Sequence, residues 1–171
     1  MKATKFFLPT LFLLIIGVLN SCNKETGRAA LKIHMTDAPG DYEEVNVEIR
    51  RVEIHYSGLG WIQVKTIQGV YDLLTLQNGI STVIVDDNDV PAGEITQIRL
   101  ILGNQNSIKV LGNMHQLTVP SGYQTGIKIN AKRKFTPGGL TNILIDFDAE
   151  LSVVYTEGSG YILKPVIKVI E

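Results

Sequence analysis

The chain reads as a single all-β sandwich, and three observations predict it. Apolar residues recur with a period of two from residue 29 onward, the spacing of half-buried strands and not of helices. Turn-forming pairs and Pro/Gly clusters interrupt these runs at short intervals, as in sandwiches and barrels. Beyond the N-terminal twenty residues, no segment sustains a helical period.

Taken in order, ALKIHMT sets Leu31, Ile33 and Met35 on one face and Lys32, His34 and Thr36 on the other. VNVEI turns Val45, Val47 and Ile49 inward, and Val52, Ile54 and Tyr56 continue in the opposite phase. Such a slip swaps the faces of a strand, so a bulge or sharp bend is expected at Arg50–Arg51. Further strands are expected at 61–67, 70–76, 80–86, 94–103, 107–111, 114–119, 126–135, 140–149 and 161–170. Gly112-Asn113, in LGNM, is a two-residue hairpin signal. TPGG at 136–139 breaks the chain before the next strand, and Pro165 cannot donate to a ladder, so it marks an edge or a bulge. NILIDFDAELSVV, residues 142–154, reads as one strand with acids on alternate positions.

The N-terminus carries a different kind of signal. MKATK is basic, and FFLPTLFLLIIGVL is apolar but short for a bilayer span. LNSC then places Leu19 three residues before Cys22, the single cysteine. This arrangement resembles the lipobox of bacterial lipoproteins, in which a peptidase cuts before a diacylated cysteine. It implies a removed signal peptide at 1–21, acylation (palmitate-type chains) at Cys22, a polar tether over 22–28, and a β domain over 29–171. One acyl chain anchors only marginally, at roughly 0.8 kcal/mol per buried CH₂, whereas two or three hold firmly. The membrane is therefore an expected partner through Cys22. Lys24 and Glu25 resemble in part the Lys-plus-acid tag that directs lipoproteins of one Gram-negative phylum to the surface. The expected location is the outer membrane, with either face open.

A lone cysteine excludes disulfides within the chain. About 150 residues remain after the leader, enough for one domain to bury about 68–70% of its unfolded surface without them. Loss of Lys2 and Lys5 with the leader moves the formal charge from −1 to −3. No basic stripe or run is expected, which argues against nucleic acid as a partner.

TDAPGDYEEVNVEI, YDLLTLQNG, VPAGEITQIRL, VPSGYQTGIKI, DFDAELSVV and YILKPVIKVI, in this order from Leu31 to Glu171, resemble the bacterial family catalogued as domain of unknown function 4382. The resemblance implies a secreted, usually lipid-anchored β domain and brings no catalytic residues. VPAGEITQIRL also resembles the Pro-x-Gly turn before a strand in prealbumin-like modules. An immunoglobulin-like or prealbumin-like antiparallel sandwich is the expected fold, and fold alone does not assign function.

Candidate sites are few. Asp146 and Asp148 share a strand face, with Cα atoms about 6.6–6.8 Å apart. Paired carboxylates serve glycoside hydrolysis when they oppose each other across a cleft and one has a raised pKa. Two neighbours on an open strand do neither, so the favoured expectation is a solvated face paired with Arg99, Lys128 or Lys164. Asp86, Asp87, Asn88 and Asp89 in VDDNDVPAG form an acidic loop that could hold a structural calcium, joined by Asp37 and Asp41 if they lie near. The loop lacks the glycine and closing glutamate of an EF-hand, and turn formation alone accounts for its composition. His34, His55 and His115 have no metal-ligand spacing, and no serine sits in GxSxG.

Trp61 falls with Gln63 and Lys65 on the polar face, where it would stack on a sugar or anchor a protein, or else simply cover the sheet edge. Tyr42, Tyr123 and Tyr155 would widen that surface if they share its side. The expected function is a non-enzymatic envelope module that binds glycan or protein, or an accessory subunit of a surface assembly, without a cofactor. Alternatives are a glycan-active hydrolase using Asp146 or Asp148, and a structural lipoprotein with a calcium-stabilised loop.

Overall fold

The computed structural model describes residues 27–170. The leader, Cys22 and most of the tether lie outside the described residues. Two sheets face each other across one apolar core, and their strands pair antiparallel with one exception.

The smaller sheet runs in the order β13 (Val166–Val169), β10 (Leu140–Asp148), β1 (Arg28–Thr36) and β5 (Thr82–Pro91). β1 and β10 lie parallel, with Ile33 beside Ile143 and Thr36 beside Asp146. The larger sheet follows β8 (Asn113–Gln116), β7 (Ser107–Val110), β2 (Glu44–Tyr56), β6 (Gly93–Leu102) and β9 (Ile127–Phe135). Two short strands, β3 (Gly60–Gln63) and β4 (Gly69–Asp72), also pair with β2. A separate hairpin joins β11 (Val153–Thr156) to β12 (Gly160–Leu163).

The period of two places the core. Leu31, Ile33 and Met35 from β1, Ile143, Ile145 and Phe147 from β10, and Ile95, Ile98 and Leu100 from β6 are all fully buried. Burial of such a side chain stabilises the fold by about 1.5–3 kcal/mol each, before conformational entropy is counted. β2 crosses the phase slip as expected. Its pairing with β6 shifts register between Ile49 and Arg51, so that Val45, Val47, Ile49, Val52 and Ile54 all reach the core. Pro165 divides the C-terminal run into β12 and β13, as its missing N–H requires.

Several local expectations need correction. The β7–β8 turn centres on Leu111 and Gly112, one residue earlier than the sequence signal, with φ of 50° and 77° at the two positions. Positive φ at both central residues makes the turn match the strand twist, and a leucine accepts the strain at the first position. Residues 70–76 are not one strand: β4 gives way to a 3-10 turn, Leu73–Leu76, whose start Asp72 caps by accepting from Leu74 N–H at 3.2 Å. Residues 142–154 are likewise interrupted by a helical turn, α2 (Ala149–Ser152), after another single turn at α1 (Ser121–Gln124) earlier in the chain. Among the described residues, no helix is long and apolar enough to cross a membrane.

Candidate functional site

The carboxylates of β10 have structural partners. Asp146 is buried, not solvated, and its Oδ2 pairs with Lys168 Nζ at 3.0 Å on the neighbouring β13. Arg99, Lys128 and Lys164, the expected partners, do not provide this contact. Asp148 caps α2, accepting from Leu151 N–H at 2.9 Å. Asp146 Oδ1 has no hydrogen-bond partner.

Asp37, just beyond β1, is buried against this strand end. Its Oδ1 accepts from Ala149 N–H at 2.8 Å and its Oδ2 from Gln77 Nε2 at 3.2 Å. Burial pushes its carboxyl up to about 6, the two hydrogen bonds oppose that, and the charges of Asp146 and Asp148 add to it. A raised carboxyl beside a second carboxylate is a hydrolase-like pairing, but Asp37 and Asp146 are 4% and 6% exposed. A substrate could not reach either without the strand end opening.

The acidic run at 86–89 is not a loop but the second half of β5. Its alternating side chains find separate partners, which disperses them. Asp86 pairs with Lys32 at 2.8 Å, and Asp87 accepts from the backbone N–H groups of Lys65 at 2.8 Å and Asp89 at 3.0 Å. Asp89 pairs with Arg28, whose guanidinium holds the Asp89 carboxyl below its ordinary value. Asn88 is exposed, and Asp37 lies with the β10 end instead. Among the described residues, no group of three or more His, Cys, Asp or Glu side chains is arranged to hold a metal ion.

The aromatic residues form two groups where the sequence suggested one. Trp61, directly opposite His55 in the β2–β3 hairpin, meets its imidazole edge-on at 5.0 Å between ring centres. The Arg99 guanidinium lies over the indole at 4.2 Å and Lys128 Nζ at 5.9 Å, both within cation–π range. Arg99 and Arg51 share Glu53: Arg51 Nε stands 2.9 Å from Oε1 and Arg99 Nε donates to Oε2 at 2.7 Å. Trp61 is therefore half-buried within a cationic sheet face and is not a bare platform. This corrects the expectation of no basic stripe or run: residues 132–134 are Lys-Arg-Lys, and strand order sets Lys128 beside Arg99.

The second group centres on Tyr155. The β11–β12 hairpin sets Tyr155 opposite Tyr161, with ring centres 5.1 Å apart, and His115 of β8 approaches Tyr161 at 5.1 Å. A shallow depression of about 550 Å³ is lined by these three rings with Gln116, Thr118, Ser159 and Gly160. Tyr42 packs partly against the core near Tyr161 and Glu150; burial first, then those two neighbours, raise its phenol pKa. Tyr123, on α1, packs against the core as well. Sequence reading named Tyr155, missed Tyr161, and weighed His115 only as a metal ligand. The available signal was EGSG, a turn that places Tyr155 and Tyr161 opposite each other once 153–156 is read as a strand of its own.

No curated protein and no solved structure matches the chain at a significant level. The family described as Domain of unknown function (DUF4382) matches residues 28–165, from the start of β1 to just past the β11–β12 hairpin, and the chain belongs to that family.

Proposed function

We propose that the protein is a lipid-anchored binding module of the cell envelope, held in the outer membrane through acylated Cys22, which takes a sugar ring in the Tyr155–Tyr161–His115 depression. The observation that carries this reading is the convergence of three partly exposed rings from two hairpins, with Tyr155 left 65% exposed. Aromatic faces accept the C–H face of a pyranose, while Gln116, Thr118, Ser159 and the phenol hydroxyls offer partners to its hydroxyl groups. The lining contains no carboxylate, so it lacks the acid pair of a glycosidase and favours binding over hydrolysis.

The test is a titration of the full-length protein in detergent with neutral oligosaccharides, followed by calorimetry and by assay of product release. Binding without product release is expected, and Tyr155→Ala with Tyr161→Ala should weaken it about tenfold or more. Unchanged affinity in the folded double variant would refute the site. Product release abolished by Asp146→Asn would refute the non-enzymatic reading.

A further inference from the structure

The outer face of the larger sheet carries a charge arrangement that packing alone does not explain. Arg51 on β2 and Arg99 on β6 share one carboxylate, Glu53, and Lys128 and Lys132 lie on β9, the strand that pairs with β6. No carboxylate stands within ion-pair distance of Lys128 or Lys132 among the described residues. Of these four cations only the two arginines contact a carboxylate, so the patch is net positive on a chain whose formal charge is −1.

Lysines on an outermost strand such as β9 commonly guard a sheet against edge-to-edge pairing. That role does not require Lys128 to reach the Trp61 ring, nor does it place arginines on β2 and β6. Beside the Trp61–His55 pair lies a depression lined by His55, Thr96, Gln97, Asn130 and Lys132. One aromatic ring, neutral donors and an ammonium therefore adjoin one another on a positive surface.

We infer that this face is a second binding site, separate from the tyrosine depression, and that its ligand is an acidic polysaccharide. Each part of such a ligand has a matching group. The sugar ring would pack against the part of the half-buried Trp61 that Arg99 leaves uncovered. Carboxylates or sulfates on successive sugar units would meet Lys132, Lys128 and, toward the other end of the face, the unshared N–H groups of Arg51. The hydroxyl groups would meet Gln97 and Asn130, whose amides already bond to each other at 3.2 Å. Charge complementarity selects an anion, and the adjoining ring and amides select a sugar polymer over a bare polyanion.

The experiment uses the full-length protein in neutral detergent and the emission of Trp61, the only tryptophan in the chain. Polygalacturonate is the probe, with dextran as the neutral control, and polyphosphate and anionic phospholipid vesicles as competing anions. Polygalacturonate should change the Trp61 emission and dextran should not. Affinity should fall about tenfold or more as screening rises from low to high salt. Lys128→Gln with Lys132→Gln should weaken binding by a similar factor at low salt while leaving the melting temperature unchanged. Tyr155→Ala with Tyr161→Ala should leave it unaffected.

Equal response to dextran, insensitivity to salt, or full binding in the lysine variant would overturn the inference. So would tighter binding to vesicles or polyphosphate than to the uronate polymer. Loss of uronate binding in the tyrosine variant would overturn the separate site and leave the tyrosine depression as the glycan site. Because Trp61 reports only its own surroundings, failure here and failure of the tyrosine site give different patterns.

Discussion

Asp37 should make the fold more stable in mild acid, against the usual trend for a carboxylate. The side chain is 4% exposed, and its carboxyl is raised from 3.8 to about 6, chiefly by burial. Because the folded-state value exceeds the unfolded one, the folded protein takes up this proton first on acidification. The contribution is thus fully present below about pH 4 and is lost as pH rises through about 6.

Applying the linkage relation to those two values, the Asp37 contribution grows by about 2 kcal/mol between about pH 7.5 and about pH 4.5. The perturbation is Asp37→Asn, which cannot ionise. Asparagine retains an acceptor for the Ala149 N–H, and its amide can donate to the Gln77 side chain once that amide flips. Chemical denaturation of both proteins across this range is the assay, because the difference between them cancels the other titrating groups. Stability of the variant minus that of the wild type should fall by about 2 kcal/mol on acidification, or about 5 °C in melting temperature. Parallel pH curves would refute the reasoning, since they would mean that the buried carboxyl titrates alike in both states.

Three further outcomes follow from the same geometry. At the Asp146–Lys168 pair the two single variants should differ: Lys168→Met leaves a buried carboxylate uncompensated and should cost about 1–3 kcal/mol, whereas Asp146→Asn, which neutralises an oxygen that already lacks a partner, should cost less. Equal losses in urea denaturation would contradict this. Millimolar calcium added to chelator-treated protein should leave the melting temperature unchanged, because Asp86, Asp87 and Asp89 are each committed to other groups; a rise abolished by Asp87→Ala would reinstate a metal site. Cys22→Ser should release the protein from the detergent phase or arrest it as precursor, and full membrane retention with an intact leader would mean that the N-terminal apolar segment is itself the anchor.

The alternation of apolar residues determined which face each strand buries, and this is why Leu31, Val47 and Ile145 lie where the pattern puts them. The bulge after Ile49 and the break at Pro165 were equally legible, since each follows from a local rule of pairing. The expected anchor at Cys22 likewise rests on adjacent residues and needs no fold. Tertiary structure alone decided which strands become neighbours, and the candidate sites depend on that. Asp146 is buried beside Lys168 because β13 returns to pair with β10. Arg51, Arg99 and Lys128 become one cationic surface because β2, β6 and β9 lie side by side. His115 meets Tyr161 because β8 and the β11–β12 hairpin approach each other in space, as the Thr118–Ile162 bridge records. A period of two specifies a side of the sheet but not a partner strand; the partner is chosen by packing and register between segments far apart in the chain.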